Sequence, residues 1–278
     1  MRWSNKEILK YLSKFIKLEK FKPIKNNKYG VKFPHMFGLY FFLSKIKPKF
    51  VVESGIYKGQ TTWLIEKTLP KAKVLAIDIN LKSRTYISKS KNVKYSNIDF
   101  SGHNFQKIPK NSLVFFDDHQ NFYKRLQEAY FFGFKHIIFE DNYPPGKGDF
   151  YSLSHALNGV GSAGKKMSYK NILAVVCKIG LNLLKKKIKP DHNISLDLYN
   201  WGLNNVIKNK EDFYNLRKVV KNFFIFHPIF KKKYTRWGDE WSVYKTKKPL
   251  LNKNKKKNYP EIYKEADSYN WITYIELK

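Results

Sequence analysis

The chain has 278 residues, 42% of them hydrophobic and 17% aromatic, which is enough to bury a sizeable core and too apolar for a disordered protein. Its 54 Lys and Arg stand against 22 Asp and Glu, giving a formal net charge of +32. That charge points to an anionic partner or surface, with nucleic acid, anionic glycan, nucleotide-sugar and acidic lipid as the classes. A coding bias toward Lys, Asn, Ile, Phe and Tyr is the competing explanation, but Glu should rise with it and does not.

Near the N-terminus, Ile8, Leu9, Leu12, Phe15 and Ile16 recur at helical spacing, interrupted by Lys6, Lys10, Lys14 and Lys17. This is a basic amphipathic helix, not a signal peptide, and it is expected to pack on the domain edge. Peripheral contact with a membrane surface is the second reading. No stretch reaches the roughly 18 uncharged apolar residues of a membrane span, so a soluble, cytoplasmic protein is expected.

From residue 49 the pattern alternates. Residues 49–53 read as a buried strand, 54–59 as a turn, and 61–69 as a helix that stops at Pro70. Strands follow at 74–78, 93–98, 113–116 and 136–139, with a helix over 123–132 ended by Gly133. Short apolar strands separated by helices predict an α/β fold: a doubly wound, Rossmann-like, mostly parallel sheet with helices on both faces. After Asn142 the pattern breaks into a long insertion. It holds a turn cluster at 144–148, a flexible Gly-rich stretch at 159–164, an amphipathic helix over 171–189 and another helix over 211–224. The lone Cys177 lies in an apolar run there; it reads as a buried small hydrophobe and excludes a disulfide framework or cysteine zinc cluster. The basic run 185–189, with the Lys-rich segment 245–259, reads as a surface for an anionic partner. Residues 241–244 and 271–277 alternate as late strands, an antiparallel pair closing the sheet. The expected divisions are a basic helical region 1–34, a core 35–145, a helical cap 146–235 and closing strands 236–278.

Open α/β sheets keep their chemistry at strand ends. Glu53-Ser-Gly55-Ile-Tyr57-Lys-Gly59 is a strand-loop-helix junction whose glycines permit a sharp turn and the close approach of a ligand. The free N–H groups of the following helix attract a carboxylate or phosphate. Tyr57 stands where the dinucleotide fingerprint has its middle Gly, and there is no P-loop Lys. Asp78 ends the second strand, where an acid accepts from ribose hydroxyls, and Asp99 follows the third, where a side chain meets an adenine edge. Each acid alone is also a common helix cap or turn residue. In this order they favour an adenosine-type cofactor.

The scarce carboxylates gather at two further strand ends, Asp117-Asp118-His119 and Glu140-Asp141-Asn142. Carboxylate and amide oxygens are the ligands that Mg²⁺ or another hard divalent cation prefers, and Asp118, Asp141 and Asn142 supply such a set. The alternative is a set of helix and turn caps, with Lys124 or Arg125 as counter-cation.

Over residues 35–145 the chain resembles the class I S-adenosylmethionine-dependent methyltransferases. Glu53 to Thr61 matches the E-x-G-x-Y-x-G-x-[S/T] form of their first motif, as in the catechol O-methyltransferase-like branch. The resemblance implies that Glu53 and the Gly55–Gly59 backbone, Tyr57 included, hold the methionine part of S-adenosylmethionine, Asp78 the ribose and Asp99 the adenine. Asp118-His119 and Asp141-Asn142 are similar to that branch's Mg²⁺-binding pairs. Glu140-Asp141 resembles the acidic pair of the cephalosporin-hydroxylase-like and macrolide-sugar methyltransferase branch. The two alignments share Asp118 and Asp141 and differ on Glu140 or Asn142. Where the catechol branch has its Lys base, this chain has Asn121; Asp117, His119, Asp118 beside them and the more distant His155 are the catalytic candidates.

These readings lead to a metal-dependent O-methyltransferase acting on a carbohydrate or related small-molecule hydroxyl, with Tyr143, Phe150, Tyr151 and Trp201 as stacking platforms for a sugar. A nucleic-acid methyltransferase or binding protein is the second reading, although Asp141-Asn-Tyr-Pro-Pro145 lacks the order of a base-methylating motif. A non-methylating relative is the third.

Overall fold

A computed structural model describes residues 3–145, 148, 150–163, 205–232 and 246–278. The expectations for Cys177, the helix over 171–189 with its basic run, Trp201 and a strand at 241–244 lie outside the described residues.

Five parallel strands form as expected: β1 (Phe50–Ser54), β2 (Lys73–Ile77), β3 (Val93–Ser96), β4 (Ser112–Phe116) and β5 (His136–Phe139). Two later strands, β8 (Val220–Ile225) and β9 (Thr273–Leu277), complete a seven-stranded sheet of order β3-β2-β1-β4-β5-β9-β8. β9 runs antiparallel to both of its neighbours. The strand order reverses between β1 and β4, which makes that crevice the topological switch point of the sheet.

Side-chain alternation divides the core between the two faces. Val51, Leu113, Phe115, Ile138 and Tyr274 pack with α1 (Asn5–Glu19), α2 (Phe33–Ile46) and α3 (Gln60–Thr68). Val52, Val114, Phe116, Ile137, Phe139, Ile275 and Leu277 face the other way, toward α4 (Phe122–Phe131) and α5 (Leu153–Leu157). The fully buried Phe37, Phe41, Phe42 and Leu43 of α2 each contribute roughly 1.5–3 kcal/mol of burial. The Ser4 side chain caps α1, whose Ile8, Leu12 and Phe15 are buried while Lys6, Lys10, Lys14 and Lys17 face solvent. Its apolar stripe is spent on the domain core, as in the edge-packing reading, and is not free to lie in a membrane surface. Among the described residues no helix is long and apolar enough to cross a membrane.

The second half departs from the pattern reading in three places. The helix expected over 211–224 ends at Val219 as α6 (Lys210–Val219), and the chain continues directly as β8. The β-branched pair Val219-Val220 and the aromatic pair Phe223-Phe224 favour a strand there, and pairing with β9 decides the matter. The stretch expected to be flexible holds β6 (Val160–Ala163), paired antiparallel with β7 (Asn205–Lys208) in a separate two-stranded sheet. The expected loop before residue 259 contains a 3₁₀ turn, Lys253–Asn258, with its lysines exposed, and α7 (Pro260–Lys264) follows.

Candidate functional site

The β1 loop is set by its backbone. Gly55 has φ 96°, and a Cβ there would overlap the Asp117 carbonyl, lying 2.5 Å from its carbon. Gly59, at φ 89°, comes equally close to Tyr86, with a Cβ 2.5 Å from the carbonyl oxygen. Both glycines therefore permit the close approach of one backbone to another. Tyr57 also occupies the left-handed region, at φ 49°. Asp78 holds the turn: its Oδ2 accepts from the Ile56 and Tyr57 N–H groups at 2.9 and 2.8 Å, and its Oδ1 from Asn80 N at 2.8 Å.

Glu53 is fully buried and accepts from the Thr61 and Thr62 hydroxyls at the start of α3, the latter at 2.6 Å. Burial pushes its carboxyl up to about 7, against the two hydroxyl hydrogen bonds, which favour the charged form.

Strand parity explains where the acidic clusters point. Asp118 continues the Phe116 side, where α4 lies, and meets the buried Arg125, with Nε 2.9 Å from its Oδ2. That oxygen also accepts from Ser54 Oγ at 2.7 Å. Arg125 binds Asp99 through both terminal nitrogens, at 3.1 and 2.5 Å, and Glu128 at 2.8 Å. Asp118, expected as a cation ligand, thus gives its Oδ2 to Arg125 and Ser54, and among the described residues it is in neither of the groups of potential ligands that contain Asp141. Asp99, expected on an adenine edge, gives its carboxylate to Arg125 and Ser101. The Arg125 hydrogen bond holds Asp99 well below the ordinary carboxylate range.

Glu140 continues the Ile138 side, where α2 lies, and meets His35 Nδ1. His35 Nε2 accepts the Asn270 backbone N–H at 2.7 Å, so its proton resides on Nδ1 and is donated to Glu140. Burial pushes His35 down to about 4, consistent with this neutral ring. Asp141, also buried, accepts from Tyr143 OH at 2.6 Å and Asn270 Nδ2 at 2.7 Å. Asn142, expected as an alternative ligand, has its side chain engaged by its neighbours. Its Oδ1 accepts from Ser154 N and Oγ at 2.7 and 2.9 Å, and its Nδ2 donates to Thr273 Oγ1 at 2.9 Å.

Two groups of potential ligands share Asp141, each with its atoms within 4.8 Å of one another: His35, Glu140 and Asp141, and Asp117, His119 and Asp141. In the second, burial raises Asp117 well above the ordinary range, and the neighbouring carboxylates add to the effect. Burial also opposes ionisation of Asp141, yet bonds from Glu140 and Tyr143 and the nearby His119 and His35 hold it below the usual value. The negative charge of the pair therefore rests on Asp141. His119 is exposed, in contact with Phe150, and has φ 52°, a conformation uncommon outside glycine.

Other candidates find structural work. His155 forms a capping box with Ser152 at the start of α5 and is buried. Asn121, the residue in place of a Lys base, caps α4 by accepting from Lys124 N at 3.0 Å. Tyr143 and Phe150 are core residues and not a sugar platform, and Tyr151 donates to Asp212 at 2.9 Å. Sequence reasoning missed His35 and Asn270. His35 stands alone in the apolar run Phe33 to Leu43, an unusual place for an imidazole, whereas Asn270 carries no sequence signal.

No protein-family model matches the chain, and no curated protein matches it. Among solved structures it is similar to CmcI-N160 with SAH at 16% identity, over 44% of this chain and 68% of that one, with a TM-score of 0.37. CmcI-D160 with Mg and SAM is 19% identical over 43% and 57%, at 0.34. The SAH-bound methyltransferase PaMTH1 of Podospora anserina is 11% identical over 48% and 60%, at 0.36. The chain thus spans less than two thirds of the last two. These likenesses are too slight to carry function.

Proposed function

We propose that this chain is an S-adenosylmethionine-dependent O-methyltransferase that uses a hard divalent cation and acts on a carbohydrate or related small-molecule hydroxyl. One observation carries the reading. In the crevice where strand order reverses, Gly55 of the β1 loop packs on Asp117, and His119 and Asp141 lie beside it. Open α/β sheets bind their ligands at such a point.

The residues present fit an adenosine-type cofactor. Ile79 is 82% exposed next to Asp78, and Ile98 is 54% exposed next to Asp99, so apolar side chains at two strand ends are available to a flat ring. The donor set fits a hard cation: Asp141 lies within ligand distance of Glu140 in one group and of Asp117 in the other, and a positive partner favours ionisation of such neighbouring carboxylates. The cofactor, when bound, supplies an electrophilic methyl group on sulfur, and the cation polarises the acceptor hydroxyl. The chain does the rest by position. Asp78 keeps the loop in shape, His35 orients Glu140, and Tyr143 and Asn270 fix Asp141. The exposed imidazole of His119 accepts the hydroxyl proton, with the Asp141 carboxylate near the charge it takes up. The carbohydrate class rests on the resemblance of Glu140-Asp141 to the sugar-methylating branch, which the engagement of Asn142 elsewhere favours.

Calorimetry with S-adenosylmethionine tests the cofactor. We expect binding that Asp78→Ala weakens by about 1–3 kcal/mol as the loop N–H groups lose their acceptor. Absence of binding, or tight binding of a nicotinamide dinucleotide instead, would overturn the reading.

A further inference from the structure

Asn270, just before β9, is tied to the acidic centre by three hydrogen bonds. Its N–H donates to His35 Nε2 at 2.7 Å, its carbonyl accepts from Asn142 N at 2.8 Å, and its Nδ2 donates to Asp141 Oδ1 at 2.7 Å. The residue is only 8% exposed, yet its Oδ1 is buried with no hydrogen-bond partner among the described residues. The amide cannot turn over to relieve this, because its carbonyl oxygen would then face the Asp141 carboxylate. The following residue, Trp271, holds φ 59°, which is rare for a bulky side chain. A buried acceptor is thus fixed on a side chain bonded to Asp141, and buried polar atoms are rarely left unmatched.

We propose that Asn270 Oδ1 is a ligand of the divalent cation, joining Glu140 and Asp141 as an oxygen supplied by the segment entering β9. The inference rests on the cation reading of the site above. It also narrows the ion. Both nitrogens of His35 are engaged, so this corner offers two carboxylates and an amide oxygen and no imidazole. That set suits Mg²⁺, Mn²⁺ or Ca²⁺ better than metals that favour nitrogen ligands.

The test is titration of the purified full chain with Mn²⁺, following free Mn²⁺ by electron paramagnetic resonance, with no turnover required. We expect Asn270→Ala to bind at least about tenfold more weakly than wild type while keeping its circular dichroism spectrum. Asn270→Asp should bind at least as tightly as wild type. It should also gain more in Tm on Mn²⁺ addition, since a third carboxylate repels Asp141 until a cation arrives. An unchanged Kd for Asn270→Ala would overturn the proposal. Should that variant fail to fold, an Asn270→Asp Tm gain no larger than that of wild type overturns it instead. If wild type itself takes up no Mn²⁺, the cation reading of the whole centre falls, a result distinct from failure of Asn270 alone.

Discussion

Gly55 and Asp117 lie backbone against backbone, so the turn after β1 and the first acid after β4 move as one body. The turn is in turn held by Asp78, which accepts two of its N–H groups. A side chain at Gly55 must displace the Asp117 backbone. We expect Gly55→Ala to cost at least about 1–3 kcal/mol in urea unfolding and to weaken cofactor binding at least tenfold. Gly133 is the control: it has a similar φ of 81° but nothing within 4 Å of its Cβ position. Gly133→Ala should cost about 1 kcal/mol of backbone strain and leave the cofactor unaffected.

Arg125 is 3% exposed and joins Asp99, Asp118 and Glu128. Arg125→Met should destabilise the chain by about 3–5 kcal/mol, because Asp118 is left charged and unpaired in the interior. Burial already raises the Asp118 carboxyl against the pull of Arg125. The double variant with Asp118→Asn should therefore recover part of the loss, and urea midpoints at neutral pH measure both.

Glu53 and His136 shift in ways that give opposite pH trends. The Glu53 carboxyl is raised from an ordinary 4.5 to about 7 by burial, so the folded chain retains a proton that the unfolded chain releases. Its contribution is fully present below pH 4.5 and is lost as pH rises toward 7. Relative to wild type, Glu53→Gln should gain stability across that window, by up to about 3 kcal/mol. His136, hydrogen-bonded to Tyr274 OH at 2.8 Å, is lowered by burial from 6.5 to about 4. Its contribution is present above pH 6.5 and is lost as pH falls toward 4. His136→Gln should therefore gain on wild type as the solution is acidified. Denaturation of both variants at several pH values checks the signs.

Asp141 and Asn142 are neighbours with different work. Asp141→Asn should abolish the Mg²⁺-dependent part of methyl transfer and leave cofactor affinity nearly unchanged. Asn142→Ala removes hydrogen bonds to Ser154 and Thr273 and should cost about 1–3 kcal/mol of stability, with Mn²⁺ affinity retained. Full methyl transfer by wild type in chelator would refute the cation's role.

The first half of the sheet was legible because each strand is a short apolar run closed by a polar residue, and β1 to β5 fall within a residue or two of the periodicity reading. The acidic positions were legible as a cluster but not as individuals. Asp117 and Asp118 are adjacent, and only the placement of α4 on one face says which of them meets Arg125. Asn142 looked like a ligand, yet its partners Ser154 and Thr273 come from segments the sequence does not connect to it. α2 was not anticipated at all. It is buried on nearly every side, so it lacks the polar face that gives a helical period, and with it went His35.

β9 lies inside the sheet, between β5 and β8, pairing His136 with Glu276 and Phe139 with Thr273. A nascent chain emerging from the ribosome can pair β1 through β5 early, since those neighbours are close in sequence. It would then carry β5 with an open hydrogen-bonding edge, and Asp141 without Asn270, until residues 273–277 emerge. Assembly of the acidic centre therefore waits for the segment from Asn270 to Leu277, and a product stalled before it would expose to its neighbours a strand edge built for β9.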